Sequence, residues 1–314
     1  MPKYRRILSV LLAAWLCVML IAYTYTWVSR NWTPSIKSND INIASSGALV
    51  ISVLGDDAVY TEVSLNDVVG IAVDNSFTFR QVSSQDGINF FWKDFSPTVT
   101  NKENPAVFYK IGTNDTRKGD YIDARFCLKL DDALTTAKYI FIHPDTVINY
   151  IKENSANPDL NRAIRISLTY DKDIVTDSGT QTLTETVILA DLEDNESVIN
   201  ALEDDTLNPL YRAVLSDADG KTDAEDSGAL GYQTVYGLNY FNCGRMDYNK
   251  DNPADEYNYN FTRDESKALF MLNPGEQKWV NIRIWLEGQD ENCVKEIAGE
   301  KFNMVLKFDS AFVQ

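Results

Sequence analysis

Histidine is almost missing from this chain: His143 is the single one in 314 residues. Zinc enzymes draw most of their metal ligands from imidazoles, so a His-rich catalytic centre cannot be assembled here, and no His-Glu-x-x-His string is present. Positive charge is also scarce. The 29 Lys and Arg stand against 46 Asp and Glu, a formal net charge of −17. Such a surface repels phosphate, which excludes nucleic acid and anionic lipid headgroups as natural partners. Gly220-Lys221-Thr222 is no phosphate loop, because the upstream glycine is missing. Neither a Leu-Pro-x-Thr-Gly sorting signal nor the Thr-Leu-x-Thr-Cys motif of sortases occurs, and no internal repeat is evident.

Apolar residues are plentiful. They make up 44% of the chain, with 11% aromatic, enough to bury a sizeable core. The longest uncharged apolar run, 7–28, comes after Lys3, Arg5 and Arg6. A basic start before such a run is the pattern read by the export machinery, and it places the remainder of the chain outside the cytoplasm. At about 1.5 Å per helical residue the run is long enough to span the ~30 Å hydrocarbon core, so both a cleaved signal peptide and a retained anchor helix fit it. Trp15-Leu16 precede Cys17 in place of the small residue that a lipidated cysteine needs. The expected organisation is a leader over 1–28, an extended linker over 29–44, and a β-domain over 45–314 carrying a helical and acidic insertion at about 190–276.

Period-two patterning dominates that domain. Ile122, Ala124, Phe126, Leu128 and Leu130 alternate with mostly polar residues. So do Ile164, Ile166, Leu168 and Tyr170, then Val280, Ile282, Ile284 and Leu286, then Phe302, Met304, Leu306 and Phe308. These are half-buried strands. Asp86-Gly87 falls between 80–83 and 88–92, where the tight turn of a hairpin needs positive φ. Short helices are expected after His143-Pro144-Asp145, with Val147, Ile148 and Ile151 inward, and twice between 195 and 215. The second of these is capped by Asn208 and Pro209 and turns Leu210, Tyr211, Val214 and Leu215 inward. The stretch 216–260 reads as a long acidic loop. The fold class predicted is mainly β: an antiparallel jelly-roll-like sandwich with short helical insertions and an N-terminal hydrophobic helix.

Residue chemistry marks the candidate sites. Asp217, Asp219, Asp223 and Asp226 surround Gly220 at spacings that suit a hard cation gathering oxygens, so Ca²⁺ is the candidate cofactor; the blander reading of the same residues, a solvated acidic loop, is the one so acidic a chain favours. Asp247, Asn249 and Asp251 form a second, less complete set. Cys243 and Cys293 are the preferred disulfide, with free thiols as the alternative, since Cys127 sits inside a strand. A nucleophilic pair would have to use Cys127 and His143. Tyr232, Tyr236, Tyr240, Phe241, Tyr248, Tyr257, Tyr259 and Phe261 suit either a sugar platform or the packing of a loop. Arg283 and Trp285 share the outward face of one strand.

Tyr25-Thr26-Trp27-Val28-Ser29, with Ile41-Asn42-Ile43-Ala44-Ser45-Ser46-Gly47-Ala48-Leu49 after it, resembles the processing region and first strand of TasA/camelysin-type proteins, secreted by Gram-positive bacteria. The strings 82–91, 163–167 and 285–290 are similar to surface proteins of the same kind. The resemblance implies a jelly-roll sandwich, a dedicated signal peptidase, and a place in extracellular fibres or at the cell surface. The expected function is therefore a non-enzymatic structural or adhesive subunit, its partners being further copies or surface glycans, with membrane attachment through the leader. A monomeric carbohydrate-binding adhesin and a surface protease or transpeptidase are the alternatives. Cleavage near Ser29 would free 39–53 to complete a neighbour's sheet.

Overall fold

The computed structural model describes residues 35–46, 48–53, 58–65, 77–93, 108–151, 160–176, 179–191, 211–215, 231–238, 240–241, 265–290, 293 and 298–311. Residues 1–28, with the expected leader and N-terminal helix, lie outside them. Among the described residues no helix is long and apolar enough to cross a membrane.

The protein is mainly β. Its strands are β1 (Ser35–Ser45), β2 (Leu49–Val53), β3 (Glu62–Ser64), β4 (Phe77–Val82), β5 (Phe91–Lys93), β6 (Phe108–Lys110), β7 (Ile122–Leu130) and β8 (Lys138–Ile142), then β9 (Val147–Ile151), β10 (Ile164–Thr176), β11 (Gly179–Ala190), β12 (Tyr211–Leu215), β13 (Gly231–Gly237), β14 (Phe270–Leu272), β15 (Gln277–Glu287) and β16 (Lys301–Ala311). Short 3₁₀ turns occur at Thr116–Asp120, Leu160–Ala163 and Glu265–Lys267.

β5 and β6 pair with each other, and the other strands join in one hydrogen-bonded network. That network falls into two sets of ladders. One gathers β3, β8, β9 and β14 around the β1–β16 pair; the other gathers β2, β7, β10, β11, β12 and β13 around β15. β4 belongs to both. Its first residues pair antiparallel with 35–38 of β1, and Gln81 and Val82 then run parallel to Leu286 and Glu287 of β15.

The period-two residues predicted to face inward do so. Ile122, Phe126, Leu128, Ile166, Leu168, Ile282, Ile284, Leu286, Phe302, Met304, Leu306 and Phe308 are all buried in one cluster drawn from both sets. Rings meet across it, Phe126 against Phe308 at 5.6 Å and Tyr170 against Phe270 at 5.1 Å. Each such side chain contributes roughly 1.5–3 kcal/mol by leaving water, so the alternation is the main force that fixes register.

Four expectations are corrected. The pairing is mixed, not antiparallel throughout: β1 runs parallel to β16, β4 to β15 and β11 to β13. A parallel pair needs a long crossover, and nearly the whole chain separates β1 from β16. The helix expected over 147–151 is β9, antiparallel to β16 with Ile148 opposite Met304. Val-Ile-Asn-Tyr-Ile is β-branched and aromatic and too short to hold a helix without tertiary support. The helix expected through Tyr211 and Leu215 is likewise a strand, β12, paired with β13. β13 itself lies within the stretch read as loop. The first expected helix of that region, around Val198, Ile199 and Leu202, and the cap at Asn208 and Pro209 lie outside the described residues.

Asp86-Gly87 does form a turn, but within a loop over 84–90 and not as the tight hairpin expected: Ser83 and Phe91 exchange backbone hydrogen bonds as an isolated bridge, and β5 pairs with β6 instead of β4. Gly87 has φ +70°, and a Cβ there would sit 2.7 Å from the Ser167 Cβ. Glycine is therefore required twice over, by conformation and by the close approach of the turn to β10. Asp86 Oδ1 accepts from the Ile88 and Asn89 amides at 2.9 and 2.7 Å. Burial raises the Asp86 carboxyl, but hydrogen bonds from Asn89 and Ile88 outweigh it and leave the group below the usual range.

Candidate functional site

Ionisable and nucleophilic side chains converge where β4, β10 and β15 meet. Glu287, the last residue of β15, is fully buried. Its Oε2 accepts from the Trp285 indole at 3.0 Å and the Ser84 amide at 3.3 Å, and Oε1 accepts from the Gln289 amide at 3.3 Å. Arg165 of β10, opposite Trp285 in the ladder, is 2% exposed; it donates to Asp290 Oδ2 and to the Arg162 carbonyl. Cys293 closes the group. The Gln81 amide donates to its Sγ at 3.2 Å and to its carbonyl at 3.3 Å.

Burial sets the protonation of this node. Burial pushes the Glu287 carboxyl above its ordinary value, against the pull of Ser83, Trp285 and Arg165. Burial also pushes the Cys293 thiol up to about 12, despite the Gln81 hydrogen bond. A neutral thiol is a poor nucleophile. Removing one partner of a buried charged pair leaves the other uncompensated, so the arrangement ties strand ends together.

Trp285 turns its ring away from the main core into a second cluster with Val82, Phe90, Tyr121, Ile188 and Val235. Phe90 meets it edge-on at 5.2 Å and stacks on Tyr121 at 4.0 Å. The outward face of β15 is thus covered at Trp285 by the 84–90 turn, while Arg283 pairs with Asp123 at 3.3 Å and donates to Thr169. Beyond this cluster Asp120, its side chain 4% exposed, holds Arg80 at 3.1 Å and Arg117 at 3.4 Å. Burial raises the Asp120 carboxyl in spite of both guanidinium groups. Arg117 lies 4.1 Å from the Trp92 ring centre, and Trp92 stacks on the half-exposed Tyr109 at 4.9 Å. Sequence reading missed both this stack and the Glu287 node. An acidic residue at a strand end carries no local signal of burial, and Arg80, Trp92 and Tyr109 come together only through the fold.

The residues expected to act do not gather at this node, Cys293 apart. Cys127 and Cys293 carry free, buried thiols, and burial raises the Cys127 thiol as well. Cys243 lies outside the described residues. His143 directly follows β8, is 2% exposed, accepts from the Asp145 amide through Nδ1 at 3.0 Å, and donates its own amide to the Lys307 carbonyl. Its strand shares no ladder with β7, which carries Cys127. Asp217, Asp219, Asp223 and Asp226, with Asp247, Asn249 and Asp251, also lie outside the described residues. Among the described residues no cluster of His, Cys, Asp or Glu suits a metal ion. Of the aromatic series, Tyr236, Tyr240 and Phe241 pack on one another at about 5 Å against the main core, with Lys267 over the Tyr240 ring. Tyr232 lies in β13, opposite Val214 of β12, and Tyr248, Tyr257, Tyr259 and Phe261 lie outside the described residues.

Comparison of the chain with protein-family models, with curated proteins and with solved structures finds no match.

Proposed function

We propose that this chain is a non-enzymatic extracellular subunit, exported through its apolar leader and built to form or bind surface structures, as its resemblance to TasA/camelysin-type proteins implies. In this reading the two sets of ladders are the layers of a jelly-roll-like sandwich, and a signal peptidase or the retained leader decides between release and anchoring. The observation that carries the proposal is the union of a basic-then-apolar leader with a β-scaffold whose buried Arg165, Glu287 and Cys293, with the partly buried Asp290, are spent on joining strands. Cell fractionation with N-terminal sequencing of the surface-recovered protein tests it. Recovery outside the cytoplasm, in filaments by negative-stain microscopy, is expected; a cytosolic protein would refute it.

One observation favours a second reading, a monomeric glycan-binding adhesin. Tyr109 presents a half-exposed ring backed by Trp92, with Arg80 and Arg117 nearby, and aromatic faces flanked by polar groups suit sugar rings. Binding on a glycan array that disappears in Tyr109→Ala would favour this reading over the first.

A further inference from the structure

The β10–β11 hairpin outruns the sheet it belongs to. β15 leaves β10 at the Tyr170–Val280 pair, and β13 touches the β11 ladder only at Leu189 and Ala190. Beyond those points the two strands continue together as far as Thr176 opposite Gly179. Residues 180–184 are exposed, Leu183 at 51%, and among the described residues their outer edge has no ladder partner.

Proteins usually guard such an edge with a lysine, a proline, a bulge or brevity. None is used here. The edge reads Thr180-Gln181-Thr182-Leu183-Thr184, and the β10–β11 register runs without a break from the Arg165–Ala190 pair outward. The opposite edge of the network shows the usual remedy, since β14 has only three residues. The charges around the ribbon are settled within the chain: Lys172 pairs with Glu185 and Lys278 with Asp173, while Asp171 and Asp173 accept from the Thr184 and Thr182 hydroxyls.

We infer that this ribbon edge docks a second copy of the same chain, with 180–184 pairing antiparallel to 180–184 of that copy about a two-fold axis at Thr182. The inference rests on the assembly reading above and supplies its contact. Self-pairing is singled out by charge. In the antiparallel register Thr180 faces Thr184, Gln181 faces Leu183, and Glu185 faces Gly179 of the second copy, so no like charges oppose one another; a parallel pair would set Glu185 against Glu185. β1 and β2 are already engaged within the chain, so lending them to a neighbour means breaking ladders, whereas the ribbon edge is gained without loss. So short a ladder lies below the roughly 1,000 Å² of a stable interface. It acts where copies are concentrated, as on a surface or along a fibre.

Thr182→Cys in the full exported chain, with Cys17→Ser and Cys243→Ser to remove the two cysteines outside the described residues, gives the test. Under mild oxidation it is expected to form a reducible covalent dimer many-fold faster than Met271→Cys, a half-exposed position on β14. Thr182→Lys, which sets two ammonium groups across the axis, is expected to abolish the concentration-dependent dimer seen by sedimentation, with an unchanged melting temperature as the folding control. Equal cross-linking at 182 and 271, or unaltered association of Thr182→Lys, would overturn the inference. Filaments that persist without the cross-link refute this contact and leave the assembly reading; a cross-linked dimer that never builds filaments does the reverse.

Discussion

At the scale of single residues, local requirements leave little freedom at a few buried points. Tyr170 is buried with its hydroxyl unpartnered among the described residues, and desolvation raises its pKa further. An unsatisfied buried hydroxyl costs about 1–3 kcal/mol, so Tyr170→Phe should raise stability by about 1 kcal/mol in urea titration. Gly87→Ala should do the opposite. Left-handed backbone costs a side-chain-bearing residue roughly 1–2 kcal/mol, and the overlap with Ser167 adds to that, so a fall of at least that size in the same assay is expected. The thiols give a third check: Cys127 and Cys293 should resist a thiol reagent in the native protein and react on unfolding. If Cys293 reacts only after a reductant is added to the unfolded chain, it is disulfide-bonded. Asp86-Gly87 was legible in the sequence because a turn declares itself in neighbouring residues. Glu287 was not, since nothing near it in sequence foretells that Ser84 and Arg165 will enclose it.

At the scale of elements, reading succeeded where burial is one-sided and sustained. β7, β10, β15 and β16 each alternate over many residues, and each buries the face that the alternation marked. It failed at β9 and β12, five-residue strands whose few apolar positions fit a helical turn as well as a ladder edge. There the outcome was set by a partner strand, which no local pattern reports. It also failed on direction, because β1 and β16 look alike whichever way they run. The parallel β1–β16 pair places the fully buried Ile43 beside Leu306. Ile43→Ala should therefore cost about 2–5 kcal/mol, as for other large-to-small changes in a packed core. Thermal unfolding checks this, and a loss below about 1 kcal/mol would place β1 outside the core.

At the scale of the whole molecule, acidity and buried carboxyls together set the response to pH. Glu287 and Asp120 are raised in the folded state. Each therefore contributes stability that is full below the unfolded carboxyl value and is lost as pH rises through the higher folded one. Asp86 is lowered, so its contribution holds at neutral pH and is lost as pH falls through its folded value. Stability should thus climb on mild acidification from neutrality and fall in stronger acid. Asp120→Asn should flatten the climb in melting curves recorded across that range, while Asp86→Asn should flatten the fall. The mainly β class was legible from periodicity, because one-sided burial repeats along each long strand; the calcium candidates, and Cys243 of the disulfide candidate, lie beyond the described residues.

The central claim is that an apolar leader delivers a strand-built scaffold to the outside of the cell, where copies join. Immunogold electron microscopy of intact, unpermeabilised cells tests it most directly. Gold along filaments or over the outer surface is the predicted result; gold that appears only after permeabilisation, in the cytoplasm, would contradict it.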